Sequence, residues 1–172
     1  MLARRAWRNL THALEVAPSR FVFVLFCTWF NGWCTARRFQ VKQAPCLFGC
    51  DMGSSEDCLD SIQHYAYCPI VASFASRHLC LPHAHVRNLL SFLCLRSNSD
   101  DELFVLQLLL LYAVYAATNC LRFQKPHITQ ASMHEFLLQF VHQGAAQSAF
   151  AQRVVHKLVT TRGFGSQRTR LH

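Results

Sequence analysis

Apolar positions recur at helical spacing through most of this 172-residue chain. Leu2, Ala6, Trp7, Leu10, Ala13 and Leu14 return every three or four residues with arginines between them, predicting an amphipathic helix over 2–15 that Pro18 interrupts. The stretch 21–33 is apolar and aromatic with no clean period, so pattern alone leaves a buried helix and a buried strand open, and Asn31-Gly32 is a turn signal. Pro69 to Leu79 reads as a short helix with Ile70, Val71 and Phe74 inward, and Val86 to Leu95 as another that Arg96-Ser97-Asn98 ends. Ser99-Asp100-Asp101-Glu102 has the form of a capping box, with Ser99 at the cap and Glu102 three later. The helix it opens runs to about Arg122, with Leu103, Leu106, Leu110, Ala113, Val114, Ala117 and Leu121 as its core stripe, and Pro126 stops it. Because its remaining leucines make it apolar almost all round, it belongs at the centre of a bundle. Thr129 can cap a further helix through Val141, Gly144 bends or ends it, and 145–159 resumes the pattern up to Gly163 and Gly165. The fold class predicted is mainly α, an irregular helical bundle.

Composition narrows the class. Hydrophobic residues make up 52% of the chain and charged residues 15%, which excludes a disordered segment. A formal charge of +8 favours anionic partners, either nucleic acid or an acidic membrane surface. Nine cysteines, an odd number without a repeating frame, argue for a reducing intracellular compartment, nuclear or cytoplasmic, and against a secreted disulfide scaffold. The apolar runs 21–30 and 103–117 are shorter than a membrane span, so membrane insertion is disfavoured.

One stretch carries recognisable chemistry. Cys46, Cys50, His64 and Cys68 have the spacing C-x3-C-x13-H-x3-C, and three thiolates with one imidazole are a closed tetrahedral set for Zn2+. Gly49 permits the tight turn that would aim Cys46 and Cys50 at one ion. His64 and Cys68, four apart, share a face if that segment is helical, with Asp60 as a plausible N-cap and Pro69 as the first residue of the next helix. Cys58 sits in the intervening loop as an alternative ligand. Just before the first ligand, Arg37, Arg38 and Lys42 lie beside Phe39, a combination suited to phosphate neutralisation and base stacking. Arg77 and Arg87 are further candidates for phosphate contact. His78, Cys80, His83 and His85 form a weaker second cluster that Pro82 and irregular spacing disfavour as a metal site.

The run from Asn31 to Gln40, the Cys-Leu-Phe-Gly-Cys segment 46–50 and the run from Asp60 to Pro69 with its His-Tyr-x-x-Cys-Pro frame together resemble the zinc-binding region downstream of the reverse transcriptase domain in non-LTR (LINE-type) retrotransposon polyproteins. The acidic loop 51–60 with its extra Cys58 is longer than that pattern. The resemblance implies a helix over 21–33, a zinc-stapled module that holds template RNA or target DNA, and the rest of the polyprotein as a partner. It is equally compatible with a decayed copy. No small-molecule substrate is implied.

Catalysis is not expected. Asp100-Asp101 marks a helix start and is not the metal-binding carboxylate pair of a polymerase palm, and no P-loop, G-x-S-x-G or H-E-x-x-H occurs. The chain divides on this reading into an N-terminal helical segment (1–40), a zinc-knuckle-like module (41–76), a helical bundle (77–161) and a basic flexible tail (162–172) holding Arg168 and Arg170. A membrane-associated helical protein and a protein-interaction scaffold with a purely structural zinc site are the other readings.

Overall fold

The computed structural model describes residues 2–40, 44–50, 58–96 and 100–168, with side chains as far as Thr160. Its described residues form eight α-helices and no strand: α1 (Leu2–Val16), α2 (Ser19–Trp29), α3 (Ile62–Tyr67), α4 (Pro69–His78), α5 (Leu89–Phe92), α6 (Asp101–Phe123), α7 (Met133–Ala145) and α8 (Ala149–Arg168).

Helix α6 is the axis of the bundle, packed by α7, α2, α8, α5 and α1. Every residue from Phe104 to Val114 is buried, so the helix meets neighbours on all sides along those three turns. Each fully enclosed leucine there, such as Leu108, Leu109 or Leu111, contributes about 2 kcal/mol of burial. By length and composition the helix could cross a membrane, but 72% of its most apolar window is buried inside this fold. Its start differs from the capping box expected at Ser99, which lies outside the described residues. Asp100 is the cap, accepting from the amides of Glu102 at 2.9 Å and Leu103 at 3.3 Å. Glu102 pairs with Lys157 of α8 at 2.7 Å.

The stretch left open between strand and helix is helical. In α2 the residues Phe21, Val22, Val24, Leu25 and Thr28 face inward, while Phe23, Phe26 and Phe30 point outward at spacings of three and four. Helix α1 forms as expected, but its apolar stripe divides. Leu10 and Ala13 are buried together with Asn9, whose Nδ2 donates to the Cys94 carbonyl at 2.7 Å. Leu2, Trp7 and Leu14 are exposed, because α1 lies at the margin and only a narrow face touches α2 and α6. The helix expected over 86–95 contracts to α5, since Arg87 and Cys94 adopt φ of 52° and 53° on either side of it.

Helix α7 ends at Ala145, one residue past Gly144, close to the end expected there. A Cβ on Gly144 would stand 2.9 Å from Tyr112 and 3.0 Å from Phe21, so close approach of α7 to α6 and α2 demands glycine. Helix α8 continues past Gly163 and Gly165 to Arg168.

Trp33 joins this bundle to the cysteine-rich module. It is 1% exposed, lies against Tyr65, Phe92 and Tyr115, and donates from Nε1 to the Thr28 hydroxyl at 2.9 Å. Module and bundle therefore share one core.

Candidate metal centre

Residues 44–50 and 58–68 build the site from a turn and a helix end. The turn is closed by the Gly49 amide donating to the Cys46 carbonyl at 3.0 Å, with Gly49 at φ 67°, the left-handed conformation that glycine adopts without strain. Phe48, 1% exposed, anchors it against Tyr65 with ring centroids 5.2 Å apart. An antiparallel bridge between Pro45 and Leu59 holds the two segments side by side, through Cys46 N–H to Cys58 C=O at 2.9 Å and Asp60 N–H to Ala44 C=O at 3.0 Å.

The other two candidate ligands come from α3 and its end. Ser61, and not Asp60, is the N-cap of α3, accepting from the His64 amide at 3.0 Å. Cys68 terminates α3 and precedes Pro69, the first residue of α4, with φ −55° and ψ 126°, as expected for a residue before proline. His64 thus sits on the helix and Cys68 at the junction just beyond it. Their side chains converge with those of the turn.

The Sγ atoms of Cys46, Cys50 and Cys68 and a ring nitrogen of His64 all lie within 4.8 Å of one another, a group able to hold a metal ion. Cys50 Sγ is 3.2 Å from His64 Nε2, and Cys46 Sγ is 4.0 Å from Cys68 Sγ. These separations bracket the edges of about 3.5–3.8 Å of a tetrahedron with metal–sulfur bonds of ~2.3 Å. Cys58 is not in the group: it is buried, and its carbonyl serves the bridge to Cys46. Contact with the neighbouring Cys68 thiol and burial push the Cys46 thiol up to about 12, and burial with the nearby Cys46 does the same to Cys50. Without a cation these crowded, buried thiols hold their protons, and binding a metal ion would release them.

The groups that hold this module in place carry no signal in the local sequence. Asp60 is 2% exposed and accepts three bonds: from the Tyr65 hydroxyl at 2.5 Å, from the Ala36 amide at 2.8 Å and from the Arg122 guanidinium of α6. Its own carbonyl accepts from the Arg37 amide at 3.2 Å. The turn 36–40 that carries Arg37, Arg38 and Phe39 is thereby tied by backbone bonds to the residue just before α3. Asp60 and Ser61 stand side by side, and either type can cap a helix; nothing local says which faces inward.

The basic residues divide between locations. Arg37 and Arg38 line one groove beside α3, with Arg38 poised 5.5 Å from the centre of the Phe39 ring, itself 59% exposed. Arg77 lies in the last turn of α4 near His134, and Arg87 is exposed in the turn before α5; neither lines that groove. Lys42 lies outside the described residues. The second histidine cluster does not converge. His78 meets His134 at 3.3 Å, His85 meets Gln107 at 2.6 Å, and Cys80 is exposed. No other group of three or more His, Cys, Asp or Glu ligands gathers among the described residues.

No family model matches the chain, and comparisons with curated proteins and with solved structures likewise find no match.

Proposed function

We propose that Cys46, Cys50, His64 and Cys68 hold one zinc ion as a structural staple, and that the module so fixed binds nucleic acid through Arg37, Arg38 and Phe39. The observation that carries the reading is the convergence of four soft and borderline ligands in a pocket where three are buried and no ligand position is left over for a substrate. Such a site contributes folding energy, on the order of 10 kcal/mol, and supplies no activated water. The chain's own residues then do the binding. Asp60 fixes the turn 36–40 against α3, so the two guanidinium groups and the exposed ring are presented together. The +8 charge supplies the long-range attraction. The resemblance of about residues 20–75 to the segment following the reverse transcriptase of non-LTR retrotransposons supports the same role, which is to hold template RNA or target DNA while another segment performs the chemistry.

Anisotropy of labelled RNA and DNA at increasing salt tests it. Affinity should fall steeply with salt, and Arg37→Gln with Arg38→Gln should reduce the slope by about two, one for each phosphate no longer neutralised. Salt-independent binding, or none, would leave a scaffold with a structural metal. A second reading, attachment to an anionic membrane surface, has α1 in its favour, since Trp7 and Leu14 are exposed beside Arg4 and Arg8. Sedimentation with vesicles containing phosphatidylserine distinguishes the two.

A further inference from the structure

The groove beside α3 has a volume of about 440 Å³, within the range of roughly 300–1,000 Å³ typical of small-molecule clefts. Arg37 and Arg38 border it, Ile62 and Leu93 are its apolar lining, and Asn31 and Gln63 line it as well. Most other polar groups around it are already engaged. Trp29 Nε1 donates to the Leu93 carbonyl at 2.7 Å, Ser61 Oγ caps α3, and the Thr28 hydroxyl donates to the Val24 carbonyl at 2.7 Å while accepting from Trp33. Neither guanidinium forms an ion pair, and neither amide side chain a hydrogen bond, among the described residues. What the groove offers a ligand is therefore two cations, two amide residues and apolar lining. Free phosphate would use only the first of these, and an apolar ligand only the last.

We propose that this groove receives one nucleotide of a single strand: its phosphate on Arg37 and Arg38, its base against Ile62 and Leu93, and the base edge toward Asn31 and Gln63. The inference rests on the nucleic-acid reading above and adds strand state and location to it. A paired base keeps its edge occupied and its faces stacked, so a duplex can meet the arginines but cannot enter. The exposed ring of Phe39 gives a neighbouring unpaired base a stacking face.

The test uses the full chain with its metal and three probes: a short labelled single-stranded RNA, a blunt duplex of the same length, and a polyglutamate competitor. The single strand should bind at least about tenfold tighter than the duplex, the contribution of one well-held base. Asn31→Gly with Gln63→Ala should bring the single strand down to the duplex level while leaving the salt dependence unchanged. Asn31 has φ 51°, so glycine keeps that turn, and circular dichroism checks that the double variant retains its helices. Equal affinity for both strand states, untouched by the double variant, would overturn the groove while leaving nucleic-acid binding intact. Competition by polyglutamate as effective as that of RNA, or no RNA binding at all, would remove both.

Discussion

Asp60 and Arg122 lie 62 positions apart and meet in a salt bridge of 2.5 Å, with the carboxylate 3% and the guanidinium side chain 20% exposed. This pair fastens the cysteine-rich module to the end of the bundle's central helix. A buried carboxylate that loses its cation is left uncompensated, so Arg122→Met should destabilise the protein by about 3 kcal/mol. Asp60→Asn removes the charge; its amide oxygen can still accept from the Ala36 amide, while its NH2 can donate to the Tyr65 hydroxyl oxygen. In the background of Arg122→Met it should therefore recover part of the loss. Denaturant melts of the two single variants and the double variant measure that coupling, and strict additivity would mean the bridge is not energetically linked.

His78 and His134 share one hydrogen bond between α4 and α7, which requires at least one ring to accept and so to be neutral. Burial holds His134 below its ordinary value of 6.5; a backbone contact at Ile70 opposes this and the Arg77 cation reinforces it. A folded value below the unfolded one means the unfolded chain takes up the proton first as pH falls. The stability is thus complete above 6.5 and is lost as the pH drops from there through the folded value. His134→Gln should flatten this acid limb relative to the parent when both are melted between neutral and mildly acidic pH. Parallel curves would show that the pair does not set the limb.

Gly144 tests the packing of the bundle itself. An added methyl meets buried aromatic rings of Phe21 and Tyr112 that have little room to retreat. Gly144→Ala should cost about 1–2 kcal/mol, with overpacking outweighing the gain in helix propensity of about 1 kcal/mol. A rise in melting temperature would indicate that α7 shifts freely.

The readable parts of the sequence were those with local causes. Leucines on every face of α6 meant enclosure, Pro69 after Cys68 meant a helix start, and the spacing of four cysteine and histidine residues meant convergence. What escaped was decided at long range. Nothing near Asp60 reveals a partner at Arg122, and a cap-forming pair such as Asp60-Ser61 is ambiguous until one side chain is known to face inward. Periodicity identified the apolar stripe of α1 but could not say that α2 and α6 cover only part of it, leaving Trp7 71% exposed. Cys58 resembled a ligand by counting alone; its backbone is bonded to Cys46, yet its thiol is not among the four groups that gather.

The central claim is one metal ion per chain on Cys46, Cys50, His64 and Cys68, and elemental analysis of protein purified under reducing conditions tests it directly. Zinc should be found at about one equivalent and should be lost from both Cys46→Ser and His64→Ala, while Cys58→Ser retains it. Protein that folds without metal, or that keeps its zinc in the Cys46 and His64 variants, would contradict the account.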